Sequence, residues 1–260
     1  MRREGAPQRA RAGLPAQPGL RIGCAGWSLP APPKPLRAQA RSQLERYAEL
    51  FDTVEINSSF YRPHRPATYA RWAQSVPDDF RFSAKLPRTI SHRRRLKECA
   101  AELDAFLAGV TELGGKLGVL LLQLPPTLAF DTAVAERFFT DFRDRHAGAM
   151  ACEPRHISWF APEAERLLRA FSIARAGADP ARVPRAAVPG GDHRIEYLRL
   201  HGSPRMYYDA YDDAALRRVA RRLSRNAEVT SERWCVFDNT ARGAAQVDAV
   251  RLQRLLGVER

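Results

Sequence analysis

Polar and ionisable side chains stand in chain order at the ends of short apolar runs: Glu55 and Asn57, Lys85, Gln123, Glu153 and Arg155, Arg199 and His201, Asp238 and Asn239. Glu55 and Glu153 could act as general acid and base, provided their surroundings push their pKa values apart. Lys85 could clamp an anion or, if desolvated, attack a carbonyl carbon. Arg155 and Arg199 carry the planar donor fork that captures carboxylate or phosphate, and His201 could shuttle a proton. Glu55, Glu153, His201 and Asp238 also form an oxygen and nitrogen set that could hold a divalent metal. No compact metal motif accompanies them, so the metal reading is the less favoured one and the cofactor stays open.

These side chains need elements to position them. Eight apolar runs span Arg21–Trp27, Thr53–Phe60, Phe80–Pro87, Leu117–Pro126, Ala149–His156, Phe171–Ala178, Ile195–Gly202 and Arg233–Asn239. Most are separated by stretches of helical periodicity, such as 42–51 and 97–113, which predicts a TIM-type (β/α)8 barrel of parallel strands. Residues 179–192 are rich in Pro and Gly, so the helix after strand six is expected to be reduced or missing. In such barrels the working site lies at the C-terminal strand ends, where the polar residues fall. Residues two apart share a strand face, so Glu55 pairs with Asn57, Ser83 with Lys85, Glu153 with Arg155, and Arg199 with His201. Gln123 continues the parity of Val119 and Leu121.

The bland alternative is a buried layer in which these charges only neutralise one another. Apolar residues of similar volume often serve stability as well or better, so a site is the favoured reading. His92, with Arg88 and Arg95 nearby, lies in a basic loop that follows strand three and could fold over the mouth. Tyr61 and Trp159 lie just beyond strand ends and could wall a pocket. Tyr207 and Tyr208 are expected to pack loops.

The formal charge of +13 on 260 residues invites an anionic partner, yet 38 of the 42 basic residues are arginine, a bias that GC-rich coding produces unaided. Arg217, Arg218, Arg221, Arg222 and Arg225 recur opposite Leu216, Val219, Ala220 and Leu223, as a solvated helix face would. A small anionic molecule is therefore the favoured partner, with nucleic acid as the alternative. No apolar run reaches the roughly 18–20 residues of a membrane span. Four cysteines without metal or redox spacing suggest a reducing, cytoplasmic setting. Residues 1–19 lack the apolar core of a signal peptide and read as a disordered basic tail; 20–260 read as a single barrel domain. Oligomeric state is not legible.

Specific motifs add a resemblance. Gly26-Trp27-Ser28, Val54-Glu55-Ile56-Asn57-Ser58-Ser59-Phe60-Tyr61-Arg62, Phe82 with Lys85, Ile90-Ser91-His92 and Arg95-Leu96 come first. Gln123-Leu124-Pro125-Pro126, Glu153-Pro154-Arg155-His156 with Ser158-Trp159, Tyr197-x-Arg199-x-His201-Gly202 and Phe237-Asp238-Asn239 follow. In this order they make the chain similar to the YecE-like family, a bacterial and archaeal domain of unknown function. The resemblance implies a TIM-type barrel whose motif residues, Trp27 and Asn239 included, mark a pocket at the C-terminal face. It supplies no reaction. Leu29 and the proline-rich segment after it depart from the family pattern, as does the reduced region after strand six; both touch the pocket rim. A wider likeness to phosphodiesterases of the endonuclease IV type is one of fold only. Three readings follow: an acid/base enzyme (hydrolase, lyase or isomerase type) for a small phosphorylated or carboxylated anion, a metal-dependent phosphodiesterase on nucleic acid, or a non-catalytic ligand-binding module.

Overall fold

The computed structural model describes residues 19–29, 42–225 and 230–259. Most of the expected N-terminal tail and the proline-rich segment at Pro30–Pro35 lie outside these residues. The strands are β1 (Leu20–Ala25), β2 (Thr53–Ile56), β3 (Arg81–Lys85), β4 (Leu117–Gln123), β5 (Ala149–Glu153), β6 (Ile173–Arg175), β7 (Gly177–Asp179), β8 (Gly190–Gly191), β9 (Ile195–Leu200) and β10 (Glu232–Phe237). Helices α1 (Gln43–Ala48), α2 (Pro66–Gln74), α3 (Ala100–Val110), α4 (Thr132–Arg143), α5 (Pro162–Ala170), α6 (Asp213–Arg225) and α7 (Ala244–Leu256) connect them. The strands run in the order β7-β9-β10-β1-β2-β3-β4-β5-β6-β8, all parallel except β8. The TIM-type reading holds.

Sequence-local chemistry starts the helices. Ser42 and Glu45 form a reciprocal capping box at α1, and Asp131 accepts from the Val134 amide at α4. Pro66 and Pro162 occupy first helical positions, where a missing N–H costs nothing.

One stave departs from expectation. The run Phe171–Ala178 was expected to be a single strand, but it breaks at Ala176. β6 pairs with β5, whereas β7 pairs with β9 and closes the ring. Gly177 permits this, since a Cβ there would stand 2.6 Å from Pro189 and 3.0 Å from Leu198. No α-helix follows: a single 3-10 turn at Pro184–Ala187 and the antiparallel β8 take its place.

Strand parity then divides the core in two. Outward-facing Cys24, Val54, Ile56, Phe82, Ala84, Leu120, Leu122, Cys152, Leu198, Leu200, Cys235 and Phe237 pack under the helices. Ala25, Val119, Leu121, Ala151, Ala174, Ala176, Tyr197, Trp234 and Val236 fill the barrel itself. The floor is aromatic, with Tyr197 and Trp234 stacked at 6.0 Å. Gly118 makes room for it, because a Cβ there would lie 2.5 Å from the indole of Trp234. Above this floor the interior turns from apolar to ionised.

Candidate functional site

Arg199, on β9, occupies the axis and is sealed from solvent. Its Nε donates to Glu55 Oε2 at 2.9 Å, and Nη2 donates to Glu55 Oε1 at 2.7 Å and to Asp238 Oδ2 at 2.9 Å. Nη1 donates to Glu153 Oε2 at 2.6 Å. Three carboxylates, two on strands β2 and β5 and one just beyond β10, thus converge on one guanidinium. Below it, Tyr197 donates to Glu55 Oε2 at 3.1 Å and shares a 2.7 Å hydrogen bond with Ser83. Glu55 therefore accepts three hydrogen bonds and is wholly buried. This pairing leaves Glu55 with no path to a proton on a substrate and leaves Arg199 with no fork to offer an anion. Both were expected to contact ligand; here they form the foundation of the site.

His201 lies just beyond β9, with Nδ1 3.1 Å from Asp238 Oδ2 and Nε2 3.3 Å from Glu153 Oε1. Two carboxylate partners require both ring nitrogens to donate, which describes an imidazolium. Burial alone would lower its pKa, but Glu153 and Asp238 outweigh burial and raise it. Burial would raise the Glu153 carboxyl, yet Arg199, His201 and Arg155 drive it well below the usual carboxylate range. Asp238 is likewise lowered, against the pull of burial, by Arg199 and His201. Glu153 is thus an ionised hub rather than a proton donor. Asp238 Oδ1 accepts no hydrogen bond among the described residues, so it remains free to take a proton.

The outer side of this lattice is cationic and amidic. β5 ends at Glu153, and Arg155 folds back so that Nε and Nη2 each lie 3.0 Å from Glu153 Oε1. Its side chain keeps 14% of its surface open. β2 ends at Ile56 rather than at Phe60, and Asn57 turns out of the strand. Its Oδ1 still accepts from Lys85 Nζ at 3.2 Å. Lys85 ends β3 and is 6% exposed, with Nζ 4.2 Å from the centre of the Phe60 ring. No carboxylate lies within ion-pair distance of Nζ among the described residues. Burial, with Arg199 adding to it, lowers the Lys85 pKa to about 8, against the weaker opposing pull of Glu55, Glu153 and Asp238. His92 packs edge-on against the same Phe60 ring at 5.0 Å. Its pKa is lowered by burial, then by Lys85, Arg88 and Arg155. The Gln123 carboxamide, 7% exposed at the end of β4, has no hydrogen-bond partner among the described residues.

Other residues expected at the pocket sit elsewhere. Trp159 is buried under Phe130 and Phe139, and its indole donates to the Leu128 carbonyl at 3.0 Å. Arg95 ties the loop after β3 to the Thr127 carbonyl at 2.8 Å. Trp27 packs edge-on against Trp72 at 4.9 Å. Asn239 donates to Asp209 O and Asp248 Oδ2, locking the start of α7. Tyr61 is the exception: it is 68% exposed but stands edge-on to the Phe60 ring at 5.1 Å, the ring that Lys85 and His92 also touch. Aromatic and polar residues near strand ends could not be sorted by spacing alone. Tyr211, which its place beyond a strand end marked as a candidate pocket wall, instead builds the network behind Asn239 with Asp248, and Asp248 carried no sequence signal because it lies on a helix.

The donor set does not suit a divalent metal. Arg199 fills the space between Glu55, Glu153 and Asp238, and His201 offers them N–H groups rather than a lone pair. A second cation there would face a guanidinium at contact distance.

Comparison with known proteins places the chain in a family. The DUF72 family, described as a protein of unknown function, matches residues 21–260. The UPF0759 protein YecE of Escherichia coli (strain K12) is 40% identical over 106 residues, which are 41% of this chain and 38% of that relative's length. The UPF0759 protein YunF of Bacillus subtilis (strain 168) is 23% identical over 92% of this chain and 95% of its own. Crystal structures of DUF72 family proteins from Enterococcus faecalis V583 and Thermotoga maritima MSB8 superpose with TM-scores of 0.76 and 0.75. Both are 20% identical to it; each covers 91% of this chain, and the matches take in 95% and 98% of those chains. At that identity they speak for the fold. The chain belongs to the DUF72 family.

Proposed function

We propose that the protein is an enzyme that binds a small carboxylated or phosphorylated molecule at the strand C-terminal ends and moves protons on it. The observation that carries this reading is the division of charge. The buried carboxylates turn inward onto Arg199, while Lys85, Arg155, His92, Asn57 and Gln123 present cations and hydrogen-bonding groups on the outer side. Arg155 and Lys85 would hold the anion, and Gln123 would supply a neutral hydrogen bond. Asp238 Oδ1 and the neutral His92 imidazole would take and return protons. His201 and Arg199 fix Asp238 in place, and water exclusion strengthens each contact.

Thermal unfolding tests this. Phosphate, sulfate, acetate and small dicarboxylates would be titrated into wild type, Lys85→Met and Arg155→Ala. An anion at about 100 times its dissociation constant should stabilise the native state by roughly 2.7 kcal/mol. The expected result is saturable stabilisation in wild type that Arg155→Ala abolishes. Equal stabilisation of all three proteins would remove the reading.

A further inference from the structure

We propose that Lys85 is an amine nucleophile that condenses with the carbonyl carbon of a small oxo acid or anionic aldehyde held by Arg155. This rests on the anion-site reading above and assigns its substrate class.

The argument begins with what Lys85 lacks. A buried ammonium ordinarily finds a carboxylate, and three lie in the same polar layer. Glu55 and Glu153 spend both their oxygens on Arg199, Arg155 and His201 instead, and Asp238 spends Oδ2 on Arg199 and His201 while neither of its oxygens comes within ion-pair distance of Nζ. Among the described residues Nζ has only the Asn57 side-chain Oδ1 at 3.2 Å and the face of Phe60 at 4.2 Å. Lys116 makes the contrast: its Nζ donates to the carbonyls of Ala73 and Val76 and pairs with Asp78. Lys97 is exposed. Lys85 is therefore the described lysine that burial without an ion pair equips for attack.

Its surroundings fit the remaining steps. The charged groups that face it are Arg199, Glu55, Glu153, Asp238 and His92. With a pKa lowered to about 8, a useful fraction of Nζ is a free amine near neutrality. His92 shares the Phe60 ring with Lys85, at 5.0 Å and 4.2 Å, and lies within electrostatic range of Arg155.

The step balances without any redox partner. The Nζ lone pair forms the C–N bond while the carbonyl π pair moves to oxygen. His92 accepts a proton from the nitrogen and returns it to the oxygen. The nitrogen lone pair then expels that oxygen as hydroxide, leaving an iminium, and the second amine proton passes from nitrogen to the hydroxide, which departs as water and leaves an imine.

Glyoxylate, the smallest anionic aldehyde, is the probe, with cyanoborohydride present to reduce any imine. Peptide masses would locate the adduct among the lysines. The expected result is labelling at Lys85 at a rate that saturates with glyoxylate, rises as pH passes through about 8, and falls when acetate competes. Lys97 should label slowly and without saturation. Lys85→Arg should lose the saturable label while still unfolding cooperatively. Thermal stabilisation by glyoxylate with label only at exposed lysines would overturn the nucleophile and leave the anion site standing. Neither stabilisation nor label at Lys85 would overturn both.

Discussion

Arg199 and Glu55 meet fork to fork, with hydrogen bonds of 2.9 and 2.7 Å between two side chains that are fully withdrawn from solvent. Such a pair is expensive to break, because the surviving charge has no water to turn to. Glu55→Gln is expected to destabilise the protein by about 3–5 kcal/mol. Urea unfolding would read this as a lower midpoint at unchanged slope. A loss under about 1 kcal/mol would mean that Glu153 and Asp238 suffice to neutralise Arg199.

Lys85 should show the opposite sign. Its ammonium is disfavoured in the folded state, with the pKa moved from 10.5 to about 8. Below pH 8 the folded protein therefore bears a cost, which is relieved as pH rises towards 10.5 because the unfolded chain then binds more protons. Lys85→Met should be more stable than wild type at neutral pH by on the order of 3 kcal/mol, the free energy of that shift. The gap should close at alkaline pH. A variant less stable than wild type at pH 7 would contradict this account. Anion-induced stabilisation should be lost in the same variant.

Titration of the lattice gives a second pH signature. Glu153 and Asp238 are depressed, so their contribution is present above the unfolded carboxylate range and is lost as pH falls below about 4. His201 is raised, so its contribution is complete below about 6.5 and disappears as pH climbs through the folded value. His201→Gln should therefore flatten the neutral-to-alkaline part of the stability profile and leave acid unfolding in place. Unfolding midpoints collected across pH for both proteins would check it. An unchanged profile would mean that His201 is neutral in the fold.

Trp159 offers a control at the other extreme. It fills the space among Phe130, Phe139 and the Leu128 carbonyl. Trp159→Ala is expected to cost about 3–5 kcal/mol while the increment of stabilisation by a saturating anion stays the same. Loss of that increment would move Trp159 into the binding site.

Much of this was legible before any coordinates. The interior parity of Val119, Leu121 and Gln123, or of Tyr197, Arg199 and His201, follows from the two-residue strand repeat, so the ring of polar strand ends could be read directly. Which charge meets which could not, since three acids and three bases have many pairings and only the axial position of Arg199 selects one. Asn57 and Arg155 reach the polar layer from beyond their strands, so strand alternation brought them there for the wrong reason. The break at Ala176 is not legible in the sequence, because a continuous apolar run carries no mark of a change of partner.

That break divides the barrel wall mechanically. Staves β1 to β5, which carry Glu55, Lys85, Gln123 and Glu153, form an unbroken run of paired neighbours. The sixth stave is held on one flank along Ile173–Arg175 and on the other along Gly177–Asp179; α5 packs against its first half, but only a 3-10 turn at Pro184–Ala187 stands where a helix would follow its second half. Compliance is thus concentrated on the arc across the ring from β2, three staves away from Lys85. Amide exchange should be fastest there, and a guest too large for the mouth would be admitted by that arc giving way, while the lysine wall keeps its aim.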